Sequence, residues 1–392
     1  MSEEIAKAKK AYLETMKGSV AAFAPGRVEF LGNHLDYNGG LVLGAAIDSG
    51  IYALALPRED TLVRLFSESF EDAVVETSLD GFSRQEGKTS WANYCLGVLK
   101  VMQDAEWAPD IGFSLTLTTN LPVSVGLSSS AALELATALV FSGLAGRELS
   151  HKDLVRVCRK AENEFVGMPC GILDQATSAF GKKDHLVLID CETESISCLP
   201  MPAESQLWIF DSGIKHDLVD SHYAARNEEC QEALRLIRKT HPRLNCLAKA
   251  DAVMVEKANL PTQIRKRALH VVGEQERVLS FQRGLSEKAS LRELGRLLTD
   301  SHKSSSELFE NSCPELDALV QSLAGHDQVL GARLTGGGFG GAVLAWTTTG
   351  FQQSEADRIA NSYEKKFGHR PETHCFSPSQ GARIEDWKQA GI

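Results

Sequence analysis

The sequence predicts an α+β protein of two domains: a mixed α/β N-terminal domain, then a C-terminal domain with the split βαβ order of a ferredoxin-like unit. Three observations predict it. The chain has 392 residues, more than one hydrophobic core usually organises. At residues 122–134 a strand feeds a Gly/Ser loop that opens a helix. Beyond about residue 200 the patterning reads strand, helix, strand, strand, helix, strand.

Residues 1–18 mix Glu and Lys in a helical pattern, without the apolar stretch and small-residue cleavage site of a signal peptide. Residues 19–57 alternate apolar and polar side chains around a turn-rich centre at 32–40, which predicts strands flanking a functional loop. Residues 91–102 have helical spacing. Phe113, Leu115 and Leu117 alternate with Ser114, Thr116 and Thr118 as a half-buried strand does, and residues 131–144, rich in Ala and Leu, form a helix that stops at Gly146. A helix over 153–165 breaks at Gly167-Met-Pro-Cys-Gly171, and 185–190 reads as a strand. Two Pro in the polar stretch 198–205 mark the boundary, dividing the chain into 1–200 and 201–392. Strand 207–211, a long helical region 219–309, strands 329–334 and 342–347, helix 354–367 and a short strand 373–376 complete the second domain.

Composition narrows the class. Hydrophobic residues make up 43% and charged residues 24%, as in soluble globular proteins. The formal net charge of -11 argues against a non-specific nucleic-acid or anionic-membrane partner, and no apolar run reaches transmembrane length. Nine cysteines, scattered from Cys95 to Cys375 without a C-x-x-C pair, suggest neither a disulfide framework nor a zinc site. They read as reduced thiols of a cytoplasmic enzyme, expected to be a monomer.

Four constellations carry chemistry. In the stretch Pro-Val-Ser-Val-Gly-Leu-Ser-Ser-Ser-Ala-Ala-Leu-Glu at 122–134, unpaired backbone N–H groups and a helix dipole favour a bound phosphate. Three hydroxyls, Ser128, Ser129 and Ser130, add donors, and one can ligate Mg²⁺; taken alone, Ser128 or Ser129 also reads as a plain N-cap. Thr335-Gly-Gly-Gly-Phe-Gly-Gly341 lies between two strands, with more glycines than a hairpin needs, and suits an anion-binding nest. Ala24-Pro25-Gly26-Arg27, followed by Gly32-Asn33-His34-Leu35-Asp36-Tyr37-Asn38, gathers polar side chains that can converge on a polyhydroxylated ligand, although Asp36 and Asn38 are singly good turn formers. In the run from Glu162 to Gln175, Glu162 can supply a metal ligand and Asp174 a catalytic carboxylate, while a lone Glu at a helix end is ordinarily solvated. Gly87-Lys88-Thr89 resembles the end of a P-loop, but Phe82 stands where its first glycine is required, and no dinucleotide-binding Gly-x-Gly-x-x-Gly opens a helix.

Together, residues 25–38, 122–131 and 335–341 resemble the three signature motifs of the GHMP small-molecule kinases. Within that superfamily the chain is similar to the galactokinase family, through Arg27 with Gly32 to Tyr37, Trp91-Ala-Asn-Tyr94, the run from Glu162 to Gln175, and Tyr223 in Ser221-His-Tyr-Ala-Ala-Arg226. The resemblance implies an ATP-dependent sugar 1-kinase, most simply one that makes galactose 1-phosphate. Gly126, Leu127, Ser128, Ser129, Ser130 and Ala131 would wrap the ATP phosphates, Ser130 and Glu162 would hold Mg²⁺, and Trp91 and Tyr94 would lie by the adenine. Asn33, His34, Asp36 and Gly171 would bind the sugar, with Asp36 accepting from two ring hydroxyls and Tyr223 closing the pocket. Asp174 would face the anomeric hydroxyl with Arg27 beside it, a weak base that takes the proton late, as the bond to phosphorus forms. The loop at 336–341 would line the junction of nucleotide and sugar, with Gly337 on the nucleotide.

Two positions depart from the family turn, which reads Arg-x-Asn and then Gly-Glu-His. Here Glu29 stands at the Asn position and Asn33 at the Glu position, where the family contacts the hydroxyl at carbon six of galactose. A sugar altered at carbon six, such as galacturonic acid, is therefore an alternative substrate. A non-catalytic galactose sensor is another reading, opposed by the complete Ser-Ser-Ser-Ala segment.

Overall fold

The computed structural model describes residues 18–70, 73–122, 126–168, 170–214 and 219–386. The expected helix before residue 18, the centre of the Gly/Ser loop at 123–125 and the helix-breaking Pro169 lie outside them.

The N-terminal sheet is built on two long strands, β1 (Val20–Leu31) and β2 (Leu41–Pro57), which bracket the turn. Every residue of β1 but the first is buried, because this strand has neighbours on both edges and layers on both faces. β2 is long enough to pair twice: residues 51–57 run against β5 (Phe113–Thr119), and residues 41–44 against β6 (His185–Asp190), which carries β7 (Ser195–Pro200). β3 (Leu62–Ser67) pairs parallel with β5, and β4 (Val75–Ser78) closes that edge. On the opposite edge, β12 (Arg383–Glu385) pairs with β1. The end of the chain thus returns to the N-terminal sheet, and a cut after residue 200 would separate an edge strand from its sheet.

Over this sheet lie α1 (Ala92–Asp104), α2 (Ser129–Leu144), α3 (His151–Lys160) and α4 (Leu173–Phe180). The helix expected over 153–165 is instead α3, started by a Ser150 cap on the Asp153 amide, followed by a π-turn at Ala161–Val166. A wider turn rotates the following side chains relative to the helix, and such insertions are common at functional sites.

The C-terminal sheet, β11 (Glu372–Phe376), β8 (Ser205–Asp211), β10 (Ala342–Thr348), β9 (Val329–Thr335) in that order, is antiparallel throughout, the order expected for a split βαβ unit. Between β8 and β9 the single long helical region resolves into α5 (Val219–Ile237), α6 (Ala252–Lys257), α7 (Thr262–Ser286), α8 (Leu291–Ser304), a second π-turn at Ser305–Phe309, and α9 (Pro314–Ala324). Asp251 and Ser290 cap α6 and α8, the latter with a Glu293 capping box. α10 (Gln353–Phe367) follows β10. Trp208, Phe210, Leu316, Leu319 and Tyr363 form a second core under α9 and α10. The main core crosses between the sheets: the ring of Phe30 on β1 meets Phe281 on α7 at 5.1 Å and Trp346 on β10 at 5.6 Å.

No helix among the described residues is long and apolar enough to cross a membrane. All nine cysteines are free.

Candidate active site

The β1–β2 ladder shifts register between Pro25 and Arg27 and again between Glu29 and Leu31. Such bulges re-aim the side chains between them. Val28 and Phe30 enter the core, while Arg27 and Glu29, two residues apart on the other face, line one cleft. That cleft, about 660 Å³, is also walled by Asn33, His34, Asp36, Gly171, Asp174, Tyr223 and Gly337.

Asp174 stands in the first turn of α4, which Ser178 ties to β1 by donating to the Pro25 carbonyl at 2.6 Å. Its Oδ1 takes Arg27 Nε at 2.8 Å and Nη2 at 2.7 Å, while Oδ2 accepts from Ser128 Oγ at 2.5 Å. Arg27 Nη1 also donates to the Gly126 carbonyl at 2.8 Å. These bonds fix the Asp–Arg pair against the start of α2. There Ser128 adopts a left-handed conformation, φ 54°, and its own side chain does not cap the helix. The N–H groups at this helix start are therefore left for a ligand.

The π-turn brings Glu162 to the same helix. Burial raises its carboxyl, against hydrogen bonds from Cys170, Ser130 and Gln175 that lower it. Gln175 Nε2 bridges two carboxylates, at 2.6 Å to Glu162 and 3.2 Å to Glu134, which lies four residues after Ser130 on α2. Burial first, then Glu162, holds the Glu134 carboxyl well above its ordinary range, and Glu134 Oε1 has no partner. No cluster of three or more metal-binding side chains occurs among the described residues.

Opposite Asp174, the turn is held by buried bonds. His34 lies between Tyr37 Oη, 3.0 Å from Nδ1, and the Gly337 carbonyl, 3.1 Å from Nε2, and burial, then His270, lowers it to about 3. Its imidazole is neutral at physiological pH. Asp36 is raised to about 7 by burial and then by the charge of Glu29. Gly171 packs against Asp36, and a Cβ at that position would displace the Asp36 carboxylate. Tyr223 meets His34 and Tyr37 with ring centroids 5.3 and 5.5 Å away.

A second cleft, about 780 Å³, adjoins the first at Met168, which lines both. Its walls include Phe70, Ala73, Lys88, Trp91 and Tyr94. Trp91 Nε1 donates to the Ala73 carbonyl at 3.3 Å, and its ring stacks on Phe70. Trp91 and Tyr94, expected at the adenine, are thus together, and the Gly87-Lys88 pair discarded as a P-loop borders the same cleft. Gly337, expected on the nucleotide at its junction with the sugar, lies in the wall of the first cleft, where the turn's side chains reach across to it.

Sequence reasoning missed Glu134, Glu274, Asn311 and Arg333. An isolated charge inside an otherwise apolar element was the available signal for Glu134 in α2 and Arg333 in β9. Glu274 and Asn311 carried none.

Family sequence models agree with this geometry. The GHMP kinases N terminal domain matches residues 93–182, the galactokinase galactose-binding signature residues 9–57, and the GHMP kinases C terminal model residues 283–369. A galactokinase of Thermotoga neapolitana is 38% identical over 362 residues, covering 92% of this chain and 98% of its own. The crystal structure of Lactococcus lactis galactokinase complexed with galactose superposes with a TM-score of 0.88 at 30% identity, covering 97% of this chain and 99% of that one. Methanococcus jannaschii mevalonate kinase, at 17% identity and a TM-score of 0.61 over 94% of this chain and 98% of its own, shares the fold. A relative this similar over nearly the full length of both chains places the protein in the galactokinase family of GHMP kinases, enzymes that phosphorylate a sugar hydroxyl.

Proposed function

We infer that this chain transfers the γ-phosphoryl group of ATP to the anomeric hydroxyl of galactose, giving galactose 1-phosphate and ADP. The observation that carries the reading is the placement of Asp174, fixed by Arg27 and Ser128 between the start of α2 and a cleft walled by Asn33, His34, Asp36 and Tyr223. ATP lies with its base toward Trp91 and Tyr94 and its phosphates on the N–H groups opening α2, where the dipole favours negative charge. Asp36 and the neighbouring polar wall hold the sugar ring. Asp174 accepts the anomeric proton as the new P–O bond forms, while Arg27 neutralises charge on the transferring group.

Mg²⁺ fits the residues beside α2. Ser130 and Glu162 are in contact, and the unpartnered Glu134 Oε1 marks a polar spot nearby. These two ligands would hold it, since Mg²⁺ prefers few protein oxygens together with phosphates and water. When bound, the ion neutralises phosphate charge and helps align the transferring group.

Two features favour galactose over galacturonic acid. The Asn33 amide hydrogens are already engaged, and the cleft wall is acidic, with Glu29, Asp36, Asp174 and Glu228 in it, which disfavours a substrate carboxylate. ADP release measured with a panel of hexoses, uronic acids and amino sugars tests the reading. Turnover with galactose, with the product shown to be the 1-phosphate, is expected; no turnover with galactose, or faster turnover with galacturonic acid, overturns it.

A further inference from the structure

One corner of the sugar cleft is lined by Glu29 and Asn33, with Arg333 paired to Glu29 behind it. All three are buried, Arg333 completely. Asn33 lines the cleft, yet its amide has no capacity left for a ligand. Its Nδ2 donates to the Gly336 carbonyl at 2.9 Å and to the Glu29 carboxylate at 3.2 and 3.4 Å. Its Oδ1 accepts from Ser305 Oγ at 3.2 Å and Asn311 Nδ2 at 3.1 Å. An amide offers two donors and two lone pairs, and here all four are used. His34 is occupied in the same way at both ring nitrogens.

Glu29 differs. Its Oε1 takes Arg333 Nη2 at 3.1 Å and the Asn33 amide, but Oε2 has only the long 3.4 Å contact. A carboxylate accepts about four hydrogen bonds, so Glu29 keeps acceptor capacity where Asn33 and His34 have none. The spacing suits a sugar. Arg27 and Glu29 are two residues apart on one face of β1, roughly 6.6 Å at the rise of a strand, about the width of a pyranose with its substituents. With the anomeric oxygen at Arg27 and Asp174, the opposite edge of the ring reaches Glu29.

We propose that Glu29 is the specificity-determining acceptor for a hydroxyl on the edge of the sugar remote from the anomeric carbon, and that Asn33 is a positioning residue that holds Glu29 without touching the sugar. The proposal rests on the sugar 1-kinase reading above. The carboxylate and the amide have changed places relative to the family turn, and the contact between them lets the acceptor come from the strand instead of the turn.

The test is kcat/KM for galactose, 4-deoxygalactose and 6-deoxygalactose in the wild type, E29Q, the double variant E29M/R333M and N33S. The double variant removes the ion pair as a unit, so that no buried guanidinium is left unpaired. The wild type is expected to prefer galactose over at least one deoxy sugar by about 10-fold or more, the discrimination of a site built to bond that hydroxyl. E29Q, which presents an amide in place of the carboxylate, shrinks that ratio at least about 3-fold, E29M/R333M brings it near unity, and N33S lowers kcat/KM while keeping the ratio. A purely structural role for Glu29 would lower all three sugars alike and leave the ratio intact. The proposal is overturned if the wild type discriminates against neither deoxy sugar, if the ratio survives in E29Q or E29M/R333M, or if N33S abolishes it. Absence of turnover with galactose itself would instead mark the failure of the sugar 1-kinase reading, and the proposal would fall with it.

Discussion

Replacing Glu274 by Gln would test how the sugar turn is held. This residue of α7 is wholly buried and does not line the cleft. Its Oε1 accepts from the Gly32 and Asn33 amides, both at 3.0 Å, and from Ser301 Oγ at 2.7 Å, while Oε2 takes Arg277 Nε at 2.7 Å. The same helix reaches the turn twice more: His270 Nε2 is 3.2 Å from the Asn33 carbonyl, and Gln275 Oε1 accepts from the Leu41 amide at 2.8 Å. A glutamine keeps the shape but has one acceptor oxygen. If that oxygen stays on the turn, its NH₂ faces the Arg277 guanidinium; if it flips, the NH₂ faces two backbone N–H groups.

Breaking one side of a buried ion pair costs about 3–5 kcal/mol, and the partial exposure of Arg277 favours the lower end. An independent route agrees. Burial pushes the Glu274 carboxyl up, but Arg277, Arg333, His270 and the Ser301 hydroxyl outweigh it and bring it to about 2, against 4.5 ordinarily. By linkage that difference corresponds to about 3 kcal/mol. A depressed acid stabilises the fold above its unfolded value, and this contribution fades as pH falls from about 4.5 toward 2. Urea unfolding should therefore show E274Q less stable by about 3 kcal/mol at pH 7, with the gap narrowing below pH ~4.5. The sugar KM should rise while the ATP KM stays near that of the wild type. A loss under about 1 kcal/mol, or a gap that ignores pH, would refute the reasoning.

The remaining predictions concern the site itself. Asp174→Asn should lower kcat about 10²-fold or more with nucleotide binding retained by calorimetry, and a variant with most of its turnover would remove Asp174 from the chemistry. Glu162→Gln should raise the Mg²⁺ concentration needed for half-maximal rate, and an unchanged titration would sink its assignment as a ligand. Gly171→Ala, which drives a Cβ into Asp36, should raise the galactose KM about 10-fold with the ATP KM unmoved, and an unaltered galactose KM would show that Asp36 does not hold the sugar. Asp36, raised to about 7 by burial and Glu29, is a neutral acid in the ligand-free fold below that pH; the stability this gives at low pH is lost as pH rises through 7, and bonds from sugar hydroxyls offset the loss. Galactose should then raise the melting temperature more at pH 8 than at pH 6, and the opposite order would count against Asp36 as the acceptor.

Much of this architecture was legible because it rests on local signals. Alternation gave β1, β2 and β5, and glycines gave the ends of α2 and the loop before β10. Strands β3, β4, β7 and β12 were missed. They are short; β4, β7 and β12 lie at edges and β3 beside one, and their residues are set by pairing with a neighbour more than by any pattern of their own. The α4 helix that carries Asp174 has only eight residues, too few for a clear period. The π-turns at Ala161–Val166 and Ser305–Phe309 were invisible as well, since an inserted residue leaves the apolar spacing almost intact while turning Glu162 and Ser305 to new partners. In the turn, the exchange of Glu29 and Asn33 stood out as two departures. That they offset each other required the 3.2 Å contact between them.

The two clefts differ in what builds them, and the difference bears on how substrates are held. The described residues around Trp91 come from segments 68–94 and 166–168, all within the N-terminal part of the chain. The sugar turn is gripped from the other domain: Arg333 pairs with Glu29, Thr335 Oγ1 donates to the Glu29 carbonyl at 3.1 Å, and Asn33 and His34 meet the carbonyls of Gly336 and Gly337. Residue 338 must be glycine for this, because a Cβ there would enter Asn311, whose carbonyl accepts from Phe339 N at 2.6 Å. Buried bonds of this kind leave polar groups unsatisfied if the two sheets separate, and the Phe30, Phe281 and Trp346 rings would lose their contact at the same time. The sugar wall therefore exists before substrate arrives and depends on the docking of the two domains. Damage to their interface should register first in sugar recognition, and only later in the nucleotide cleft, which the N-terminal sheet and its helices support alone.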